Sequence, residues 1–407
     1  MKLPQAVCHI LSSLNNCGFE AYTVGGCVRD LIMGKSPHDW DITTSATPDQ
    51  VQKVFSGYSV IPTGIKHGTV TVILDKIPFE ITTFRIDGSY LDSRHPEDVT
   101  FSTNLIEDLK RRDFTINAIA YHPQTGIVDP FDGQEDIQNK IIRTVGNPAQ
   151  RFSEDALRIM RAIRFSAVLG FEINSETADS LDTHKHLLEN IAAERIGDEL
   201  NKLLCSGNAA AALNKYFAVL SPRLFGSCPT FTFDISVFNS INLVPCQLSL
   251  RLAAFIAGAS HIFDADTVCL GKSFFSHLKY DNKTRRKTTV LLSNLHRNIT
   301  PDRISIRHII RDIGADAVQD IIKLKSALQS DNLSLLESSQ NILSAILQDG
   351  DCCHLNDLAI NGIDLVSEFN LNGAGIGNAL NTLLDAVIED KCPNTRSSLI
   401  KYLKSVI

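Results

Sequence analysis

Gly25-Gly26-Cys27-Val28-Arg29-Asp30, followed closely by Asp39-Trp40-Asp41, is the stretch on which the reading of this chain turns. Trp40 to Thr43 is predicted as a strand. Side chains alternate along a strand, so Asp39 and Asp41 share a face, roughly 6–7 Å apart along the backbone. Two carboxylates so placed converge on a pair of divalent cations. The Gly-Gly turn leads into a short predicted helix, Val28 to Met33, where a phosphate can approach backbone N–H groups. Arg29 adds a planar fork for phosphate oxygens. Metal carboxylates beside a phosphate cradle point to nucleotidyl transfer. Alone, Asp-x-Asp is a common pair of exposed acids at a strand end; the glycine-rich stretch ahead of it gives the pair its weight.

Around this stretch the first part of the chain alternates strands and helices. Predicted strands are Ala21 to Val24, Ser59 to Ile61, Thr69 to Leu74 and Phe79 to Phe84, all rich in β-branched and aromatic residues. Thr47, Pro48 and Gln50 form a capping-box start for a helix, and Gly34 suits the end of the helix after the phosphate turn. Glu80 is a candidate third carboxylate able to take a proton from an attacking hydroxyl; a solvent-facing acid on a half-buried strand reads the same way. Ile86 to Pro96 is turn-rich and is predicted as a mobile loop. A helix from Leu105 to Leu109 then leads into Arg111-Arg112-Asp113, two cations and an acid suited to phosphate and ribose, or an exposed helix-end cluster. Asp129 to Gly133 is predicted as a surface turn.

Beyond Pro148 the pattern is helical, so the expected class is α+β: a mixed-sheet head over residues 1–145 followed by an all-α remainder. In the helix predicted from Ser153, Ala156, Met160, Ile163 and Ala167 make the apolar face. Arg158 and Arg161 lie opposite it, with Asp155 beside Arg158 as an i,i+3 surface ion pair. The same pair also fits a base edge. Cytosine and adenine each present an amino donor next to a ring-nitrogen acceptor, which an Asp acceptor and an Arg donor complement. Guanine and uracil present the opposite order and leave polar groups unpaired.

Composition narrows the class. The 407 residues exceed one ordinary core, and 43% hydrophobic content suits globular domains. No apolar run is long enough to span a bilayer, the start of the chain reads as an amphipathic surface helix, and a cytoplasmic location is expected. The ten cysteines form no Cys-x-x-Cys pair, against a zinc site or disulfide framework. Net charge is −7, which argues against a wholly basic nucleic-acid binder. Yet nine Lys or Arg between His277 and Arg311 face only Asp281 and Asp302, a local excess suited to a phosphate backbone or to a balanced helix face.

These motifs, in this order and spacing, resemble those of the class II tRNA nucleotidyltransferases, of the polymerase β-like superfamily. The glycine turn with Asp39-Trp40-Asp41 resembles their metal and phosphate motif, and Arg111-Arg112-Asp113-Phe114-Thr115-Ile116-Asn117-Ala118 their ribose and phosphate motif. Glu154-Asp155-Ala156-Leu157-Arg158-Ile159-Met160-Arg161 resembles their protein template for the incoming base, and Ile191 to Leu200 their later neck helix. Leu358 to Gly362 and Cys392-Pro393-Asn394 resemble weaker tail motifs. The resemblance implies a catalytic head (1–145), a helical neck with the base template (146–210) and a helical body and tail that bind tRNA (211–407). It implies that Asp39 and Asp41 hold Mg²⁺, and that Gly26, Arg29 and Arg112 contact the triphosphate. Asp113 would contact the ribose, and Asp155 and Arg158 would read the base, with Arg161 and Arg164 supporting the site. CTP, ATP and the acceptor arm and elbow of tRNA are the implied partners, with no partner protein and no membrane. Narrower products remain open: CC-addition, A-addition or poly(A) synthesis, as does an inactive RNA-binding relative. The loop from Ile86 to Lys110, including Arg94-His95-Pro96-Glu97-Asp98, looks complete, which favours full CCA or A-only addition over CC alone. Intact Asp39 and Asp41 argue for activity.

Overall fold

Seven strands build the sheet that carries the paired acids. In this computed structural model, which describes residues 1–88, 99–226, 236–329 and 332–406, they are β1 (Ala21–Val24), β2 (Asp41–Thr44), β3 (Ser59–Gly64), β4 (Thr69–Leu74), β5 (Ile77–Thr83), β8 (Ala120–His122) and β9 (Gly126–Val128), with the separate hairpin β6 (Arg85–Asp87) and β7 (Val99–Phe101). The sheet order is β3-β4-β5-β2-β1-β8-β9. Only β2 and β5 run parallel, so the sheet is mixed. Their register sets Glu80 directly beside Asp41.

Helix α1 (Gln5–Asn16) buries Val7, Ile10, Leu11 and Leu14 in a core shared with Ile42, Val51, Phe55, Val72, Phe79 and Ile81. Trp40 packs against that same core, so the ladder starts at Asp41 rather than at the predicted Trp40. The phosphate-turn helix α2 (Gly26–Ile32) begins two residues earlier than predicted and is followed, after Met33, by Gly34, whose φ of +72° is the left-handed turn that glycine favours. Helix α3 (Pro48–Val54) starts on the predicted capping box, with the Thr47 N–H donating to Gln50 at 2.8 Å. Helix α4 (Leu105–Lys110) follows β7.

Three expectations change. Ile86 and Asp87 form a strand paired with Thr100 and Val99, so the first residues of the predicted loop are strand; residues 89–98, with Arg94 to Asp98 among them, lie outside the described residues. Gly133 is buried, not part of a surface turn: its Cα lies so close to the Thr115 carbonyl that a Cβ there would come within 2.3 Å. It opens α5 (Gly133–Asn139), capped by Asp129. Finally, the helix predicted from Ser153 is two helices, α6 (Pro148–Glu154) and α7 (Leu157–Leu169). Asp155 between them is extended (φ −140°, ψ 101°), and its Oδ1 accepts the Leu157 N–H at 3.0 Å. Asp competes for backbone N–H groups in this way, which ends one helix and starts the next. Ala156, Met160, Ile163 and Ala167 are fully buried as predicted. Helices α8 (Ser175–His184) and α9 (Ala193–Leu204) follow.

The chain divides into two compact units, 1–230 with 277–279, and 231–276 with 280–407. In the second, the helix Leu248–Phe263 is the apolar centre, and the helices Asn282–Ser293 and Ala315–Leu328 pack on it. The end of the chain has its own core of Leu365, Leu383, Ile388, Leu399 and Leu403. Among the described residues, no single helix is long and apolar enough to cross a membrane.

Candidate active site

The two acids face away from the core that holds Trp40: Asp39 and Asp41 are both exposed. Asp41 lines a cavity of about 240 Å³ with Thr69, Thr82, Arg85, Arg111 and Arg112. Crowding by the surrounding protein raises the Asp41 carboxyl above the usual carboxylate range, although its side chain still meets solvent; Arg112 opposes the shift and Asp39 adds to it. A crowded carboxylate with a second acid beside it gains from a bound cation. Among the described residues no group of three or more His, Cys, Asp or Glu could cage a metal alone. Mg²⁺ rarely needs one, since it is usually held by one or two carboxylates plus substrate phosphates and water.

The arginines beside these acids are set from beneath by Asp108, which sequence reasoning passed over. It is fully buried, receives hydrogen bonds from Arg111 at 2.7 Å and Arg112 at 3.3 Å, and accepts from the Thr43 hydroxyl at 3.1 Å. Burial pushes its carboxyl up, but Arg112 and Arg111 outweigh burial and hold it below the usual range. The signal was there: Asp108 stands three and four residues before the two arginines, the spacing at which helical side chains meet. The turn at Gly25 crowds the same place. Its φ is +81°, and a Cβ there would meet Arg112 Nη1 at 3.1 Å.

Arg29 is not among the residues lining this cavity. It is buried, with Nη1 donating to Asn117 Oδ1 at 2.7 Å and Nε and Nη2 to Asp30. Asn117 donates to Asp113 at 3.3 Å, and Asp113 accepts from Arg161 Nε at 2.7 Å. Burial raises the Asp113 carboxyl, yet Arg161 wins and holds it below the usual range. Arg161 and Arg164 flank Glu199 of α9, Arg164 at 2.5 Å. The guanidinium groups of Arg29, Arg161 and Arg164 lie over the Phe165 ring at 5.4, 5.3 and 3.8 Å. This chain of contacts joins the phosphate turn to the helices after the head. Asn117 and Glu199 lay inside quoted motifs; Phe165 carried no sequence signal, because an apolar helix residue does not reveal which cations stack on it.

Asp155 and Arg158 are not an ion pair with each other. The helix break turns Asp155 toward Arg195, 3.4 Å away, while Arg158 is buried and pairs with Glu154 at 2.8 Å. Arg158 therefore does not sit on a solvent face opposite the core. Its Nη2 donates to the Arg111 carbonyl at 3.0 Å, and Arg151 donates to the Lys110 carbonyl at 3.3 Å. The residue expected to read the base thus grips the backbone of the segment that carries the cavity's arginines. With a further bond from its Nη1 to the Arg151 carbonyl at 3.1 Å, three of the five N–H groups of Arg158 are engaged.

A mixed sheet with paired acids over a cationic cavity, braced by helices from the following segment, defines a nucleotidyltransferase head. Comparisons agree along the chain. Residues 21–143 match the Poly A polymerase head domain, 170–218 the RNA- and SrmB-binding site of polymerase A, and 265–403 tRNA nucleotidyltransferase domain 2. The CCA-adding enzyme of Limosilactobacillus fermentum is 36% identical over 96% of this chain and 94% of its own. That of Oceanobacillus iheyensis is 50% identical over 70% of each. The Bacillus stearothermophilus CCA-adding enzyme, solved in complex with CTP, superposes with a TM-score of 0.82 at 31% identity, covering 100% of this chain and 98% of that one. The chain belongs to the CCA-adding enzymes.

Proposed function

We propose that this chain extends the 3′ end of tRNA with C, C and A, taken from CTP and ATP without a nucleic-acid template. The observation that carries the reading is the cavity where Asp41 faces Arg111 and Arg112. Asp39 and Asp41 would hold Mg²⁺, which supplies charge neutralisation for the attacking 3′ oxygen and the departing pyrophosphate. Arg112 and the backbone at Gly26 bind the triphosphate, and Arg29 braces that turn through Asn117. Asp113, fixed by Arg161, faces the ribose. Asp155 accepts from the exocyclic amino group of C or A, and Arg158 donates to the ring nitrogen. Arg164, against Glu199 and Phe165, keeps the site's floor rigid. Glu80, one strand over from Asp41, is placed to take the proton of the 3′-hydroxyl. Residues 1–145 serve as head, 146–210 as neck and 211–407 as body and tail holding the acceptor arm and elbow, in a cytoplasmic enzyme acting without a partner protein.

The test is substitution of the acids. Asp39→Ala and Asp41→Ala should each abolish C and A addition at saturating Mg²⁺ while tRNA still binds in a filter assay. Turnover near that of the unmodified chain in either variant would remove the acids from the mechanism.

A further inference from the structure

The basic segment from His277 to Arg311 separates, in the folded chain, into two sets. Four of its arginines are neutralised by acids of their own unit. Arg297 pairs with Asp312 at 2.6 Å, Arg303 with Asp349 and Asp351, Arg307 with Asp351 and Asp390, and Arg311 with Asp385. Lys279 meets Glu194 at 3.3 Å. The other four, Lys283, Arg285, Arg286 and Lys287, are exposed and make no ion pair among the described residues. All four lie on the helix Asn282–Ser293.

Their placement works against the helix itself. Lys283 stands three and four residues from Arg286 and Lys287, where like charges repel. All four occupy the first two turns, where the peptide dipoles disfavour cations. No acid stands within the helix, and its one acidic neighbour, the N-cap Asp281, is committed to the Thr284 N–H at 2.9 Å. A chain of net charge −7 thus gathers unneutralised cations where helix stability argues for acids.

The same helix has a shaped surface. Asn282, Arg285, Arg286, Thr289 and Ser293 recur at steps of three and four and form one stripe, opposite the buried Thr288, Leu291 and Leu292. The stripe borders a groove of about 470 Å³. At 1.5 Å per residue the helix is about 18 Å long, enough to follow several consecutive phosphates of one strand. Its neutral members are amides and hydroxyls, which hydrogen-bond phosphate and ribose oxygens without reading bases.

We infer that this helix, with Arg285 and Arg286 on the groove stripe and Lys283 and Lys287 on the exposed flank beside it, docks the RNA sugar–phosphate backbone and sets the tRNA affinity of the enzyme, whereas the neighbouring arginines at 297, 303, 307 and 311 are structural. The inference rests on tRNA being the substrate. The test is the full-length variant carrying K283Q, R285Q, R286Q and K287Q together. KM for tRNA should rise at least tenfold near 150 mM salt, with the loss in KM rather than kcat. The slope of log KM against log salt should become shallower by about 3, since each of the four neutralised phosphates contributes roughly 0.7–0.9. CTP-over-UTP preference should stay as it is, and the melting temperature should hold or rise. An unchanged salt slope in a folded, active variant overturns the inference and leaves the tRNA reading standing. If the unmodified chain adds nothing to tRNA, the tRNA reading fails as well. Loss of binding to phosphatidylglycerol vesicles with tRNA affinity untouched would assign the stripe to a lipid surface instead, and also overturn the inference.

Discussion

Asp155 turns one carboxylate oxygen to the Leu157 N–H and the other to Arg195, while Arg158 holds Glu154 and two backbone carbonyls. On the proposed reading, base selection by this pair would depend on the donors and acceptors that those contacts leave over. Asp155→Ala would remove the acceptor for the exocyclic amino group, and Arg158→Ala the donor to the ring nitrogen. Each should cost about 1.5–3 kcal/mol in transition-state binding for CTP and ATP and little for UTP and GTP. Single-turnover incorporation of all four nucleotides checks this; an equal fall for all four would make the pair structural. Asp108 makes a different prediction. Asp108→Asn keeps the shape but removes the charge that holds Arg111 and Arg112, so KM for CTP and ATP should rise together by about tenfold, roughly 1.4 kcal/mol. Discrimination among bases should not move. The sign of its pH effect follows from its carboxyl, held below the usual range in the fold. Its contribution is present above the unfolded value of about 3.9 and is lost as pH falls through the folded value. The melting temperature of Asp108→Asn should therefore fall less steeply below about pH 4 than that of the unmodified chain. Parallel acid limbs would contradict the assignment.

Elements whose ends are written in local chemistry were legible in the sequence. Thr47, Pro48 and Gln50 start α3, Gly34 closes the turn after α2, and β1 and β4 run over the predicted residues. The helix break at Asp155 was not legible, because Ser153 to Ala167 keeps an unbroken helical period and only the Asp155 side chain's bond to Leu157 reveals the gap. The fate of the basic segment was hidden for another reason. Its acids, Asp349, Asp351, Asp385 and Asp390, lie some 40–80 residues away and meet the arginines only in the fold. Arg307 shows what this means energetically. It is buried, with Asp351 at 2.5 Å, Asp390 at 2.8 Å and the Ile388 carbonyl at 3.1 Å. Arg307→Ala leaves Asp351 to Arg303 alone and removes the bonds to Asp390 and the Ile388 carbonyl, so it should destabilise its unit by about 1.5–3 kcal/mol, the scale of hydrogen bonds to a charged group. Denaturant unfolding measures the loss, and the salt slope of tRNA binding should stay put. A variant of unchanged stability and weakened tRNA binding would return Arg307 to the RNA-binding set.

Across the whole molecule, the sheet supplies paired acids, the segment after β7 supplies arginines, and the helices after the head clamp that segment through Arg151 and Arg158. The groups expected to hold the phosphates and to read the base belong to one braced unit, consistent with selecting nucleotides without a template strand. Electrostatics divide the labour. Arg85, Arg111 and Arg112 gather at the cavity, four cations stand unneutralised on the helix Asn282–Ser293, and Arg297, Arg303, Arg307 and Arg311 are balanced by acids of their own unit. The most direct test of this account is one product analysis: tRNA ending at the base before CCA, incubated with the unmodified chain, Mg²⁺ and all four nucleotides, with the 3′ ends sequenced. The account predicts C, then C, then A, followed by arrest, with negligible U or G. Addition stopping after CC, A alone on a CC-ended tRNA with none on the shorter one, a run of A, or indiscriminate incorporation would each contradict it.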